Sequence, residues 1–125
     1  MKLKLKVMGD IRRIYHNTIG IAFQWKQDLA KNRYNQYQVI FRDTGFYLTL
    51  AQLENFSKLV TQAISRGCCS ACQANNNCRS ILLKTPAVNV DLAVSEKELE
   101  FISDLLEGTL FQIKLELYLK DVCSN

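Results

Sequence analysis

The sequence predicts an α+β fold, an antiparallel sheet with two helices on one of its faces. Three observations lead there. Two capping boxes open amphipathic helices, an apolar strand-and-turn segment precedes each of them, and the two arrangements lie 46 positions apart.

At the N-terminus Leu3, Leu5 and Val7 alternate with Lys2, Lys4 and Lys6, and further on Ile19, Ile21, Phe23 and Trp25 keep period two. Strict alternation marks half-buried strands, and lysines on an edge deter unwanted pairing. The second pattern assigns Phe23 and Trp25 to the core side with Ile19 and Ile21. Between Lys26 and Gln36 the chain turns polar, which reads as an exposed loop with a helical turn at Asp28–Lys31.

The first unit, about 38–66, begins with the strand Val39-Ile40-Phe41. Asp43-Thr44-Gly45 reads as a three-residue hairpin loop with Gly45 in the left-handed position, and Phe46-Tyr47-Leu48 returns antiparallel. Thr49 then caps a helix, because its hydroxyl can accept from the amide three residues on while Gln52 reaches back. Leu53, Phe56, Leu59, Val60 and Ala63 form its apolar face, and Gly67 ends it.

The second unit, about 80–120, repeats the order. Ile81-Leu82-Leu83 is a strand, Thr85-Pro86-Ala87 opens a turn, and Val88–Val94 returns. Ser95 and Glu98 make the second capping box, followed by Leu99, Ile102, Leu105, Leu106, Leu110 and Ile113 at helical spacing. Phe111, Ile113, Leu115, Leu117 and Leu119 also alternate as a strand would; the Leu, Gln, Lys and Glu content favours helix. One strand–hairpin–helix unit has too small a core to stand alone, so two of them are expected to share a single sheet, with the segment 1–37 adding strands.

A chain of 125 residues has room for one domain, 1–125, and its 48% apolar and 22% charged content is the ordinary globular mix. No apolar run approaches the roughly 18 residues of a membrane span, and the basic start lacks the apolar segment of a secretory signal, so the expectation is a cytoplasmic protein with no membrane partner. The net charge of +4 is unevenly spread: residues 1–66 hold 11 Lys and Arg against 4 Asp and Glu, and residues 67–125 hold 5 against 8. The two halves therefore attract each other if they share one compact body.

The strand leading into the capped Leu53-Glu54-Asn55-Phe56 helix, the Leu83-Lys84-Thr85-Pro86 segment, and Ser95–Leu106 heading a Leu-rich C-terminal helix together resemble an uncharacterised family of short bacterial proteins. The resemblance covers about residues 17–120. Its motifs are structural and the family carries no assigned activity, so it implies a fold and no chemistry.

Three constellations can carry function. Cys68, Cys69, Cys72 and Cys78 crowd one segment. Cys69 and Cys72 have the spacing of a zinc knuckle, and Cys78 can add a third thiolate, although no second Cys-x-x-Cys follows. Thiol redox chemistry and plain packing are the rival readings, and no other cofactor is implied. His16 is the single histidine, with no orienting carboxylate beside it in sequence. In the basic half Arg12, Arg13, Arg33, Tyr34 and Tyr37 interleave cations and rings in the manner of single-strand nucleic-acid grips.

No complete catalytic set is present in the pattern. The favoured expectation is a non-enzymatic protein–protein interaction or regulatory domain, homodimeric through its last segment. One stripe of that segment faces the sheet, and a second, Phe101, Leu105, Leu115, Leu119 and Val122, needs cover from a partner. The alternatives are a metal- or thiol-dependent sensor built on Cys69, Cys72 and Cys78, and nucleic-acid binding through the basic half.

Overall fold

The structure, a computed structural model, describes residues 10–67 and 78–123. The expected strand at Leu3–Val7 and the residues Cys68, Cys69 and Cys72 lie outside the described residues. The fold is α+β. Its elements run β1 (Ile11–His16), β2 (Gly20–Trp25), α1 (Lys26–Ala30), β3 (Tyr37–Phe41), β4 (Thr44–Leu48), α2 (Leu50–Arg66), β5 (Ile81–Lys84), β6 (Asp91–Val94) and α3 (Glu96–Cys123).

Strands β1 to β4 form an antiparallel meander in sequence order, while β5 and β6 form a separate two-stranded hairpin. The single shared sheet expected from the sequence is therefore two sheets. The second hairpin has strands of only four residues. It turns Ile81, Leu83 and Val94 inward toward the helices and leaves Leu82 and Lys84 exposed, so its apolar side is covered by helix rather than extended by strand. Val88 and Val90, expected on the returning strand, stand exposed in the loop before β6. There Thr85 Oγ1 donates to the Val90 carbonyl at 2.7 Å and organises the turn.

Helices α2 and α3 pack on each other and on one face of the meander, α3 over β1 and β2. The shared core runs from Ala22, Val39, Phe41 and Phe46 of the sheet to Leu53, Phe56 and Val60 of α2 and Leu99, Ile102 and Leu106 of α3. Phe46 meets Phe56 edge to face at 5.2 Å between centroids, one of the favoured aromatic geometries.

Both capping boxes form. Thr49 Oγ1 accepts from Gln52 N at 3.2 Å and Gln52 Oε1 accepts from Thr49 N at 2.9 Å. Ser95 Oγ accepts from Glu98 N at 3.0 Å and Glu98 Oε1 from Ser95 N at 2.9 Å. Gly67 ends α2 with φ +70°. Helix is the state of the ambiguous C-terminal segment, which continues α3 to Cys123.

Two local expectations are corrected. The β3–β4 loop is the pair Arg42-Asp43, with Phe41 opposite Thr44, and Gly45 is a strand residue opposite Ile40. Arg42 takes the positive φ of 56° itself, its guanidinium donating to the Ala93 carbonyl at 2.9 Å and lying 3.7 Å from Glu98, so tertiary contacts hold a conformation that favours glycine. The second concerns β2, where Phe23 is fully buried as assigned, but on the side away from the helices. Ala22 and Gln24 share the face of Val39 and Arg12 under α3, while Phe23 and Trp25 stack edge to face on the far side. Ala22 is small enough to be fully buried beneath the helices, and period two alone does not say which face receives them.

Candidate functional site

A cleft of about 370 Å³ opens where α3 overhangs the end of the meander, lined by Arg12, Gln24, Leu29, Tyr34, Tyr37, Ile113, Glu116, Leu117 and Lys120. Strand alternation places Arg12 and Gln24 opposite each other on the face beneath α3. Ile113, Glu116, Leu117 and Lys120 follow helical spacing along one side of α3. The loop after α1 supplies Tyr34.

A chain of polar contacts orders these groups. Arg12 Nη1 donates to Glu116 Oε1 at 3.0 Å, and Arg12 Nη2 donates to Gln24 Oε1. Gln24 is buried, and its Nε2 donates to the Tyr34 carbonyl at 2.9 Å. One amide thus holds both the guanidinium and the loop. The Tyr34 hydroxyl donates to Asn32 Oδ1 at 2.9 Å, and Lys120 Nζ lies 5.8 Å from the Tyr34 ring centroid, within cation–π range. Tyr37 lies at the floor, 5% exposed, and burial pushes its hydroxyl above the ordinary tyrosine range against the lowering influence of Arg12.

Beside the cleft, buried Asp28 is the anchor of the loop. Its Oδ2 accepts from the Tyr47 hydroxyl at 2.6 Å, its backbone carbonyl accepts from Arg33 N at 2.7 Å, and Arg33 Nη1 stands 3.8 Å from Oδ1. The hydrogen bond to Asp28 raises the Tyr47 pKa.

The opposite side of α3 is apolar and open. Phe111, Leu115, Tyr118 and Val122 recur at intervals of four, three and four, the seam spacing of a coiled coil, with Phe111 63% and Tyr118 64% exposed. No residue of α3 beyond Ile113 is buried among those described.

The sequence candidates fall as follows. Of the basic and aromatic set, Arg12, Tyr34 and Tyr37 meet at the cleft, Arg13 lies on the opposite face of β1 opposite Phe23, and Arg33 is drawn to Asp28. Tyr37 is a buried residue, because its strand position faces the helices, and it presents no ring for stacking. Of the apolar stripe, Leu115, Leu119 and Val122 are exposed, Phe101 is half-buried, and Leu105 is fully buried in the core, since it follows the inward spacing of Ile102 and Leu106. Cys78 is half-buried and Cys123 exposed. No group of three or more metal-ligating side chains occurs among the described residues. Gln24, Asp28, Glu116 and Lys120 escape sequence reasoning; the single local sign is Gln24, a polar residue set between Phe23 and Trp25.

Comparison of the chain with protein-family models, with curated proteins and with solved structures finds no match. Among the described residues no helix is long and apolar enough to cross a membrane.

Proposed function

We propose that the chain is a non-enzymatic interaction domain of a regulatory kind that pairs with a second copy of itself through the last three turns of α3. The observation that carries this reading is the exposed heptad stripe Phe111, Leu115, Tyr118 and Val122. Apolar side chains at 3.5-residue spacing make a seam that a second helix fills with knobs into holes, and a helix extending past its own core has little other use for such a stripe. A second copy suits the seam because a two-fold axis sets the same stripe against itself, each residue meeting an apolar residue of its copy.

Sedimentation equilibrium tests the reading. The wild type is expected to be dimeric at about 50 μM, a typical range for a small reversible interface, and Leu115→Glu and Tyr118→Glu monomeric with unchanged circular dichroism. A wild type that stays monomeric throughout that range overturns the proposal.

A further inference from the structure

The cleft under α3 holds a polar group that the chain leaves unused. Among the described residues the Tyr37 hydroxyl has no hydrogen-bond partner, and no buried side-chain oxygen or nitrogen is left unpaired. Its oxygen therefore reaches open space, and the space Tyr37 lines is the cleft. The residue is 5% exposed, so packing fixes the ring and aims the phenol into the cavity. Burial raises its pKa, which keeps the proton on the oxygen at neutral pH and makes the group a donor.

The charges around this donor are matched. Arg12 is paired with Glu116 at 3.0 Å, and Lys120 has partners of its own, the Tyr34 ring among them. An ionised ligand would leave water for a cavity whose lining offers no surplus counter-charge, a costly transfer. The cleft therefore suits an uncharged molecule.

Hydrogen-bonding capacity and shape narrow the class. Arg12 has five N–H donors and uses one on Glu116 and one on Gln24, so N–H groups remain on a guanidinium whose charge acts on the Tyr37 hydroxyl. Gln24 is occupied at both ends, its oxygen accepting from Arg12 and its nitrogen donating to the Tyr34 carbonyl. Two donors lining one cavity match an oxygen that accepts twice and carries no charge, which is a carbonyl oxygen. Leu29, Ile113 and Leu117 supply apolar walls, and the volume of about 370 Å³ lies at the lower end of the roughly 300–1,000 Å³ range of small-molecule sites.

We propose that this cleft binds a small uncharged carbonyl compound with a compact apolar body, the carbonyl oxygen accepting from Tyr37 Oη and Arg12 and the body resting on Leu29, Ile113 and Leu117. Every lining residue comes from one copy, and the apolar stripe lies on the other side of α3, so the site needs no partner chain.

A titration with 3-phenylpropanamide followed by amide-proton NMR tests it, with 3-phenylpropionate and phenethylamine as anionic and cationic probes of the same body. The wild type is expected to bind the amide with a Kd on the order of 0.1–1 mM, with shifts centred on Leu29, Tyr37 and Leu117, and each charged probe at least about tenfold more weakly. Tyr37→Phe removes one hydroxyl and keeps the packed ring, and is expected to weaken binding about tenfold. Leu117→Ala, on the exposed part of the helix, is expected to weaken it severalfold without unfolding the chain. Leu115→Glu, on the other side of the helix, is expected to bind as the wild type does, which separates this site from self-association. No wild-type shifts at about 5 mM amide, shifts centred elsewhere, equal binding by Tyr37→Phe, or equal binding of either charged probe overturns the proposal.

Discussion

The ring of Tyr15 lies across α3 at Gly108, where a Cβ would overlap Tyr15 Cζ. One helical turn earlier the Tyr15 hydroxyl donates to Asp104 Oδ2 at 3.0 Å, and Asn17 Nδ2 donates to the same oxygen at 2.9 Å and to the Phe101 carbonyl at 2.8 Å. Phe101, Asp104 and Gly108 thus form one track along the helix on which the β1–β2 turn is seated. The glycine in mid-helix leaves the room that the Tyr15 ring fills.

Gly108→Ala separates propensity from packing. Alanine favours a helix interior by up to about 1 kcal/mol, while forcing a methyl group into a filled site costs about 1–3 kcal/mol. Urea denaturation is expected to show a net loss in the wild-type background and a gain when Tyr15 is also replaced by Ala. A gain in both backgrounds would mean the ring does not occupy that groove.

The two capping boxes predict a graded pair. Thr49→Ala and Ser95→Ala should each lose about 0.5–2 kcal/mol by leaving a helix amide unpaired. The loss at Ser95 should be larger, because Ser95 is 3% exposed and water cannot replace the hydroxyl there. The double mutant should lose close to the sum, as the caps share no hydrogen bond. Chemical denaturation of the three variants checks this.

What the sequence shows and hides follows from the range of the interactions. The caps are legible because a side chain bonds an amide three residues away, and the length of α3 because its apolar spacing and composition are local. The β3–β4 loop is misread because Gly45 has the local freedom for positive φ, yet Arg42 adopts it under the pull of Ala93 and Glu98, more than fifty positions on. The face of β2 is misread because both of its sides carry small or apolar residues. The cleft is hidden for the same reason as the loop. Arg12 and Glu116 are 104 positions apart, and no periodicity connects them.

Glu98 makes stability depend on pH. Burial pushes its carboxyl upward, but hydrogen bonds from Arg79 and from the Ser95 amide, with the charges of Arg42 and Arg79, outweigh this and hold it below its ordinary value of 4.5. A group whose pKa is lowered by folding contributes its full stabilisation above the ordinary value and loses it as pH falls through the lowered one. Glu98→Gln removes the charge and retains an oxygen for the cap, as Gln52 shows in α2. The wild type should therefore exceed Glu98→Gln in stability at pH 7, with the gap closing below the ordinary carboxylate range. A gap that stays constant down to about pH 2.5 would mean that the ion pair with Arg79 adds nothing.

The direction of pairing along the α3 seam is open to a direct chemical test. In an antiparallel pair whose central layer joins Leu115 to the Tyr118 of the second copy, Val122 falls beside Phe111 of that copy, whereas a parallel pair sets Val122 beside Val122. The two arrangements differ at this level by eleven residues, about 16 Å of helix at 1.5 Å per residue, far beyond disulfide reach. In a Cys123→Ser background, Val122→Cys alone is expected to give no new dimer band on a non-reducing gel after mild oxidation. Adding Phe111→Cys is expected to give a strong one. A dimer band from Val122→Cys alone, exceeding that of the parent, would assign the parallel arrangement instead.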